Sequence, residues 1–201
     1  MKKQLLHISG GTAFNEYEKF LKHLKESNYD PFKEFPEAWT TKDNLQKSLG
    51  DNWTVLRPVM PNKQNAKYDE WKIWFERQLE FVEDGFVLTG LSLGAMFLAR
   101  YLSENKISVK PSKIFMIAGA AKPEELDGED GGDFYATLEE LKNITEQAQT
   151  YLVHSKDDPV VPFDSLEIFA EYMTNATVLT YDDKGHFWYP ECSELIGLIK
   201  K

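Results

Sequence analysis

The chain reads as an α/β protein: a three-layer sandwich with a mainly parallel sheet of about six strands. Three observations predict this. Strand-like and helix-like segments alternate along the whole chain. The strand candidates are short, apolar and bounded by turns, as buried parallel strands are. Three of them end in residues whose chemistry is complementary, at the C-terminal strand ends where open α/β sheets carry their sites.

The first strand spans Gln4 to Ile8 and ends in the turn Ser9-Gly10-Gly11. Tyr17, Phe20, Leu21 and Leu24 then recur at helical spacing. Tyr29 to Trp39, with Pro31 and Pro36, is irregular. Lys42 to Leu49 is a short helix closed by Gly50. Trp53 to Leu56 is a second strand, followed by a loop from Pro58 to Ala66. Tyr68, Trp71, Trp74, Phe75, Leu79 and Val82 define an amphipathic helix. The aromatics Trp71, Trp74 and Phe75 are read as core. Phe86 to Thr89 is a third strand, and Ala95 to about Ser103 a buried helix. Lys113 to Ile117 is a strand, and Lys122 to Tyr135 an acidic, glycine-containing surface loop. Leu138 to Thr145 is helical. Thr150 to His154 is a strand, Phe163 to Met173 a helix, Thr177 to Tyr181 a strand and Glu191 to Lys200 the last helix.

The length, 201 residues, suits one domain, 1–201, with a good core and is short for two. With 42% hydrophobic and 13% aromatic residues, a packed globule is expected rather than disorder. The net charge of −10 argues against nucleic acid or an anionic membrane as the main partner. Cys192 is the one cysteine, so no internal disulfide is possible and a reducing compartment fits. Met1-Lys2-Lys3 opens like a signal peptide, but the apolar stretch after it stops at His7-Ile8-Ser9-Gly10-Gly11. No run approaches membrane-spanning length. The expectation is a cytoplasmic monomer or weak homo-oligomer acting on a small molecule.

Gly90-Leu91-Ser92-Leu93-Gly94 is the most informative stretch. It is Gly-x-Ser-x-Gly between a strand and a helix. A serine on such a turn is held in strained backbone angles, with glycines where side chains would clash. Its hydroxyl is pushed into the open beside free backbone N–H groups. That is a nucleophile elbow.

Two other strands lead into His154-Ser155-Lys156-Asp157-Asp158-Pro159-Val160-Val161-Pro162 and Asp182-Asp183-Lys184-Gly185-His186. The chain order is thus Ser, Asp, His. A serine hydroxyl is a weak nucleophile at neutral pH and needs an adjacent base. A histidine can take the proton and return it to the leaving group, and a carboxylate fixes that histidine's tautomer. Of four histidines, His186 is chosen: it follows the last strand, has a preceding glycine and leads into Phe187-Trp188-Tyr189. His23 is read as solvated. His7 and His154 end strands and are read as packing or supporting groups.

The acid is Asp157 or Asp158. Asp158 is preferred because Asp158-Pro159-Val160-Val161-Pro162 resembles the acid loop of many small esterases, and Asp157 is then a loop-capping residue. An oxyanion hole needs two preorganised N–H donors. One is the amide of Leu93. The other is expected from the glycine turn, at Gly11 or Thr12. A tight β–α turn with no such role would also explain Gly10-Gly11. No Gly-x-Gly-x-x-Gly follows, so a dinucleotide site is disfavoured. Glu124, Glu125, Asp127, Glu129, Asp130 and Asp133 do not match calcium-loop spacing, and no His/Cys zinc pattern is present. No cofactor or metal is expected.

Over nearly its whole length the chain resembles the retinoblastoma-binding-protein-9-like small serine hydrolases of the α/β-hydrolase superfamily. The resemblance is carried by Gly10-Gly11, Met60-Pro61-Asn62-Lys63-Gln64-Asn65-Ala66-Lys67-Tyr68-Asp69-Glu70-Trp71, the elbow, His154 to Pro162, and Gly185-His186-Phe187. It implies a compact esterase-like serine hydrolase with little or no cap domain. Two positions depart from many relatives: Leu91 where they have histidine, and Ser9 where they have the histidine of His-Gly-Gly. Neither is a triad group, so the departures bear on the pocket wall. The expected reaction is hydrolysis of a small carboxylic ester, or an amide or thioester, through an acyl-enzyme. The alternative is a catalytically silent binding protein on the same scaffold.

Overall fold

The computed structural model describes residues 2–27, 38, 40–123, 130–188 and 192–201. In chain order the strands are β1 (Lys3–Ile8), β2 (Trp53–Leu56), β3 (Val87–Leu91), β4 (Lys113–Ile117), β5 (Gln149–Ser155) and β6 (Thr177–Tyr181). The helices are α1 (Tyr17–Glu26), α2 (Lys42–Leu49), α3 (Tyr68–Leu79), α4 (Leu93–Glu104), α5 (Lys142–Thr145), α6 (Asp164–Tyr172) and α7 (Ser193–Lys200), with a 3₁₀ turn at Leu138–Glu140 before α5.

The six strands form one sheet in the order β2-β1-β3-β4-β5-β6, and all five pairings are parallel. This is a three-layer α/β sandwich without a large cap among the described residues. Alternation along β1 shows why two helical layers are needed. Leu6 and Ile8 join the apolar core under α3, α4 and α6, while Leu5 joins a smaller core under α2 and α7. The larger core is aromatic where α3 meets α4. Phe97 of α4 takes the rings of Trp71 and Phe75 edge-on at 5.8 and 5.3 Å. Trp71 and Phe75 are fully buried, so the apolar stripe of this helix is core.

Several expectations change. The α3 helix ends at Leu79, and Val82 is buried beyond it. The single helix expected from Leu138 to Thr145 is a 3₁₀ turn followed by one α-helical turn. The β6 strand is an exposed edge rather than a buried strand, with Val178 44% accessible. The α1 helix forms where its periodicity places it but buries none of its residues. It is tied down by Lys19, paired with Asp130 at 2.9 Å, and by Phe20 and His23, whose rings lie 5.6 and 5.2 Å from Phe14. His23 is therefore half-buried against an aromatic ring, not on a solvated face. The irregular segment expected from Tyr29 to Trp39 falls almost entirely outside the described residues. So do Glu124, Glu125, Asp127 and Glu129 of the acidic loop, and Tyr189 to Glu191. Among the described residues, no helix is long and apolar enough to cross a membrane.

Candidate active site

Ser92 stands between the last residue of β3 and the first of α4, with φ 55° and ψ −124°. A non-glycine residue at positive φ is costly and persists only where its surroundings impose it. Here they do. The Ser92 N–H donates to the Ile117 carbonyl of β4 at 2.8 Å, and the Ser92 carbonyl accepts from Ala95 and Met96 at 2.8 and 3.1 Å. A side chain at Gly94 would collide with the carbonyl of Ile8 on β1, and a Cβ at Gly90 would lie 2.5 Å from the Gly94 carbonyl. Helix and strand approach too closely for anything larger than glycine at either place. The Leu93 N–H, in the first turn of α4, has no helical acceptor.

The turn after β1 forms the opposite wall. Gly10 is the residue against Ser92: a Cβ there would lie 3.0 Å from Ser92 Cβ and 3.4 Å from Ser92 Oγ. The loop from Pro58 to Ala66 is bonded onto this turn. The Thr12 N–H donates to the Lys63 carbonyl at 2.7 Å, the Ala66 N–H to the Thr12 carbonyl at 2.9 Å, and Thr12 Oγ1 to the Gln64 carbonyl at 2.6 Å. Thr12 is thereby corrected as an oxyanion donor, because its N–H is already committed. The Gly11 N–H has no acceptor among the described residues. A Cβ on Gly11 would meet the Lys63 carbonyl.

The loops after β5 and β6 bring Asp158 and His186 together. His186 Nδ1 lies 2.8 Å from Asp158 Oδ2 and 3.0 Å from Oδ1, with both side chains almost inaccessible. The backbone N–H groups of Val160 and Val161 donate to Asp158 Oδ1 at 2.8 and 3.0 Å. Burial acts to raise the carboxyl pKa of Asp158. Hydrogen bonds from His154, His186 and Val161 outweigh it and hold the group ionised, well below the ordinary carboxylate range. An ionised carboxylate only accepts, so His186 carries a proton on Nδ1 and its Nε2 is the ring nitrogen left over for another partner. The indole of Trp188 stands edge-on to the imidazole at 5.1 Å. Among the described residues, Ser92 Oγ has no hydrogen-bond partner.

Asp157 does something different. It is exposed, and its Oδ1 accepts from Ser155 Oγ at 2.5 Å and from the Gly185 N–H at 2.8 Å. Ser155 Oγ in turn accepts from the Lys184 N–H at 3.0 Å. Asp157 thus caps the loop that carries His186, and the bonds from Ser155 and Gly185 lower its pKa. His7 is a packing group whose Nδ1 meets Thr89 Oγ1 at 2.8 Å. Burial, assisted by the charge of Arg57, pushes its pKa down to about 3, so it is neutral. Among the described residues, no group of three His, Cys, Asp or Glu side chains is disposed to hold a metal ion.

Two features escaped sequence reasoning. Gly10 abuts Ser92, and His154 Nε2 comes within 3.4 Å of Asp158 Oδ2. The glycine pair signalled the first only in outline. The second depended on the path of the acid loop, which a strand pattern does not contain.

Fold and strand-end groups together define an α/β hydrolase. The family model described as serine hydrolase matches residues 36–191, and the chain belongs to that family, the retinoblastoma-binding-protein-9-like small serine hydrolases. Solved structures share the fold at low identity. The ydeN gene product of B. subtilis superposes with a TM-score of 0.68 at 20% identity, covering 100% of this chain and 93% of that one. A thioesterase domain from the curacin biosynthetic pathway gives 0.63 at 14%, covering 100% and 92%. Est1E from Butyrivibrio proteoclasticus gives 0.59 at 14%, covering 99% and 86%. No curated protein matches the sequence.

Proposed function

We infer that the protein hydrolyses a small carboxylic ester through an acyl-enzyme, with Ser92 as nucleophile, His186 as base and Asp158 as the acid that orients it. The observation that carries this reading is the Asp158–His186 contact of 2.8 Å, made by the loops after β5 and β6, in a sheet whose β3 ends at a serine held at positive φ. Ser92 Oγ attacks the carbonyl carbon while its proton passes to His186 Nε2. The N–H groups of Leu93 and Gly11 face the charge that develops on the carbonyl oxygen. Collapse breaks the bond to the leaving alcohol, which takes the proton from Nε2. Water then repeats the sequence on the acyl-enzyme and restores Ser92.

A thioester or an amide would use the same groups, and the likeness to a thioesterase domain fits the acyl bond as the common feature. The loop from Pro58 to Ala66 borders the Gly11 side and shapes one side of the substrate. A fluorophosphonate probe tests the mechanism at neutral pH. Covalent labelling of the native protein at Ser92, absent in Ser92→Ala, is the expected result. Failure of the native protein to label would favour a binding protein on a hydrolase scaffold.

A further inference from the structure

One buried imidazole has no part in this mechanism. His154 is the penultimate residue of β5, its side chain 2% exposed and its ring edge-on to Phe163 at 5.8 Å. Its Nε2 lies 3.0 Å from the Val161 carbonyl oxygen and 3.4 Å from Asp158 Oδ2. A carbonyl oxygen only accepts, so Nε2 must carry a proton. The hydrogen bond goes to Val161, and the carboxylate oxygen that takes His186 Nδ1 at 2.8 Å stands beside the same nitrogen at 3.4 Å. Asp158, its side chain 1% exposed, therefore sits between two imidazoles and the N–H groups of Val160 and Val161.

The charged and titratable groups around this pair are few. His186 faces it from the loop after β6. Asp157, next in the chain, turns its carboxylate to Ser155 and Gly185. From the α6 side comes the Phe163 ring, and the Asp164 carboxylate beyond it is paired with Lys122 at 2.7 Å.

We propose that His154 is a positioning residue of the catalytic acid: its Nε2–H, bonded to the Val161 carbonyl and 3.4 Å from Asp158 Oδ2, fixes the loop that holds the carboxylate in line with His186 and moderates that carboxylate's pull on the His186 proton. The proposal rests on the triad reading above. Each donor to a carboxylate draws off part of its charge. Without the His154 donor, the Val161 carbonyl loses a partner and the carboxylate is freer to turn. It also presents more charge to the imidazole of His186.

The test is the rate of Ser92 labelling by a fluorophosphonate as a function of pH, in the native protein and in His154→Leu, His154→Gln and Asp158→Asn. For His154→Leu the acid-side midpoint is expected to move up by about half a pH unit to one pH unit. Its plateau rate should fall by about threefold to tenfold. His154→Gln, whose carboxamide N–H reaches to the same place, should recover most of both. A His154→Leu protein with the native midpoint and plateau overturns the proposal, however far its melting temperature drops. Asp158→Asn labelling like the native protein instead removes the triad reading, and the His154 role with it. If His154→Leu does not fold, long-range ¹H–¹⁵N correlation on the native protein decides. A proton on His154 Nε2 is expected, and a bare Nε2 overturns the proposal.

Discussion

On the β1 side of the site the geometry is made by backbone: Thr12 exchanges main-chain hydrogen bonds with Lys63 and Ala66, and Gly10 meets Ser92 with no side chain between them. On the β5–β6 side it is made by side chains: Ser155 and Asp157 hold the loop, and Asp158 and His154 aim the imidazole. The first wall is sensitive to volume and indifferent to pH. The second is sensitive to charge and proton position. A change of residue therefore fails differently on the two sides.

The largest expected effect is loss of the nucleophile. Ser92→Ala should lower ester turnover by at least about 10⁴-fold without unfolding the protein, read by initial rates and by circular dichroism. Asp158→Asn should cost about 10³-fold to 10⁴-fold, because an amide cannot fix the Nδ1–H tautomer in the same way. Both are read in kcat. Gly11→Ala attacks the opposite wall. Its Cβ meets the Lys63 carbonyl, so a loss of about 1–3 kcal/mol in urea unfolding is expected. With it should go a fall in kcat of about tenfold to a hundredfold, as one oxyanion donor shifts. An unchanged kcat in Gly11→Ala would break the comparison on that side.

Asp157→Asn tests the capping role. A carboxamide still accepts from Gly185, so kcat is expected to fall by no more than about threefold to fivefold. A collapse as deep as that of Asp158→Asn would show that the two carboxylates share one task. The smallest effect concerns stability alone. His7 titrates near 6.5 when unfolded and near 3 when folded. The unfolded chain therefore binds the extra proton between those values, and stability is lost as pH falls through that window. The slope is up to about 1.4 kcal/mol per pH unit. His7→Gln should flatten the dependence of the urea midpoint on pH between 6.5 and 4.5, and an unaltered slope would exclude His7 as its source.

Much of this was legible beforehand. The strand pattern located six parallel strands within a residue or two, because runs such as Lys113 to Ile117 are apolar and end in turns. The elbow was legible because its glycines are demanded by close approach, and close approach leaves a short local signature. His186 was singled out by its place after the last strand, whereas strand ends left Asp157 and Asp158 both open and only the likeness of Asp158 to Pro162 to an acid loop favoured Asp158, the one that meets His186. What stayed hidden depends on partners far apart in sequence. Thr12 carries nothing that announces its bond to a carbonyl fifty-one positions away. Periodicity placed α1 but could not show that its stripe of Tyr17, Leu21 and Leu24 lies exposed, since spacing encodes a helix and not what covers it. The exposed β6 was misjudged for a like reason: a final strand and an edge strand look the same until the sheet order is known.

The position of β4 sets a scale for the whole centre. It lies between β3 and β5, supplies the Ile117 carbonyl that pins Ser92, and contributes no reacting group. The strands that lead to Ser92 and Asp158 thus stand two interstrand intervals apart, about 10 Å across the sheet. No point substitution can tune that interval, because hydrogen-bonded strands admit one pitch. The proposed mechanism asks the loop after β6 to span it, with the imidazole that this loop holds against Asp158. Fine adjustment of the centre therefore falls to the residues that grip this loop, while the gauge itself belongs to the sheet.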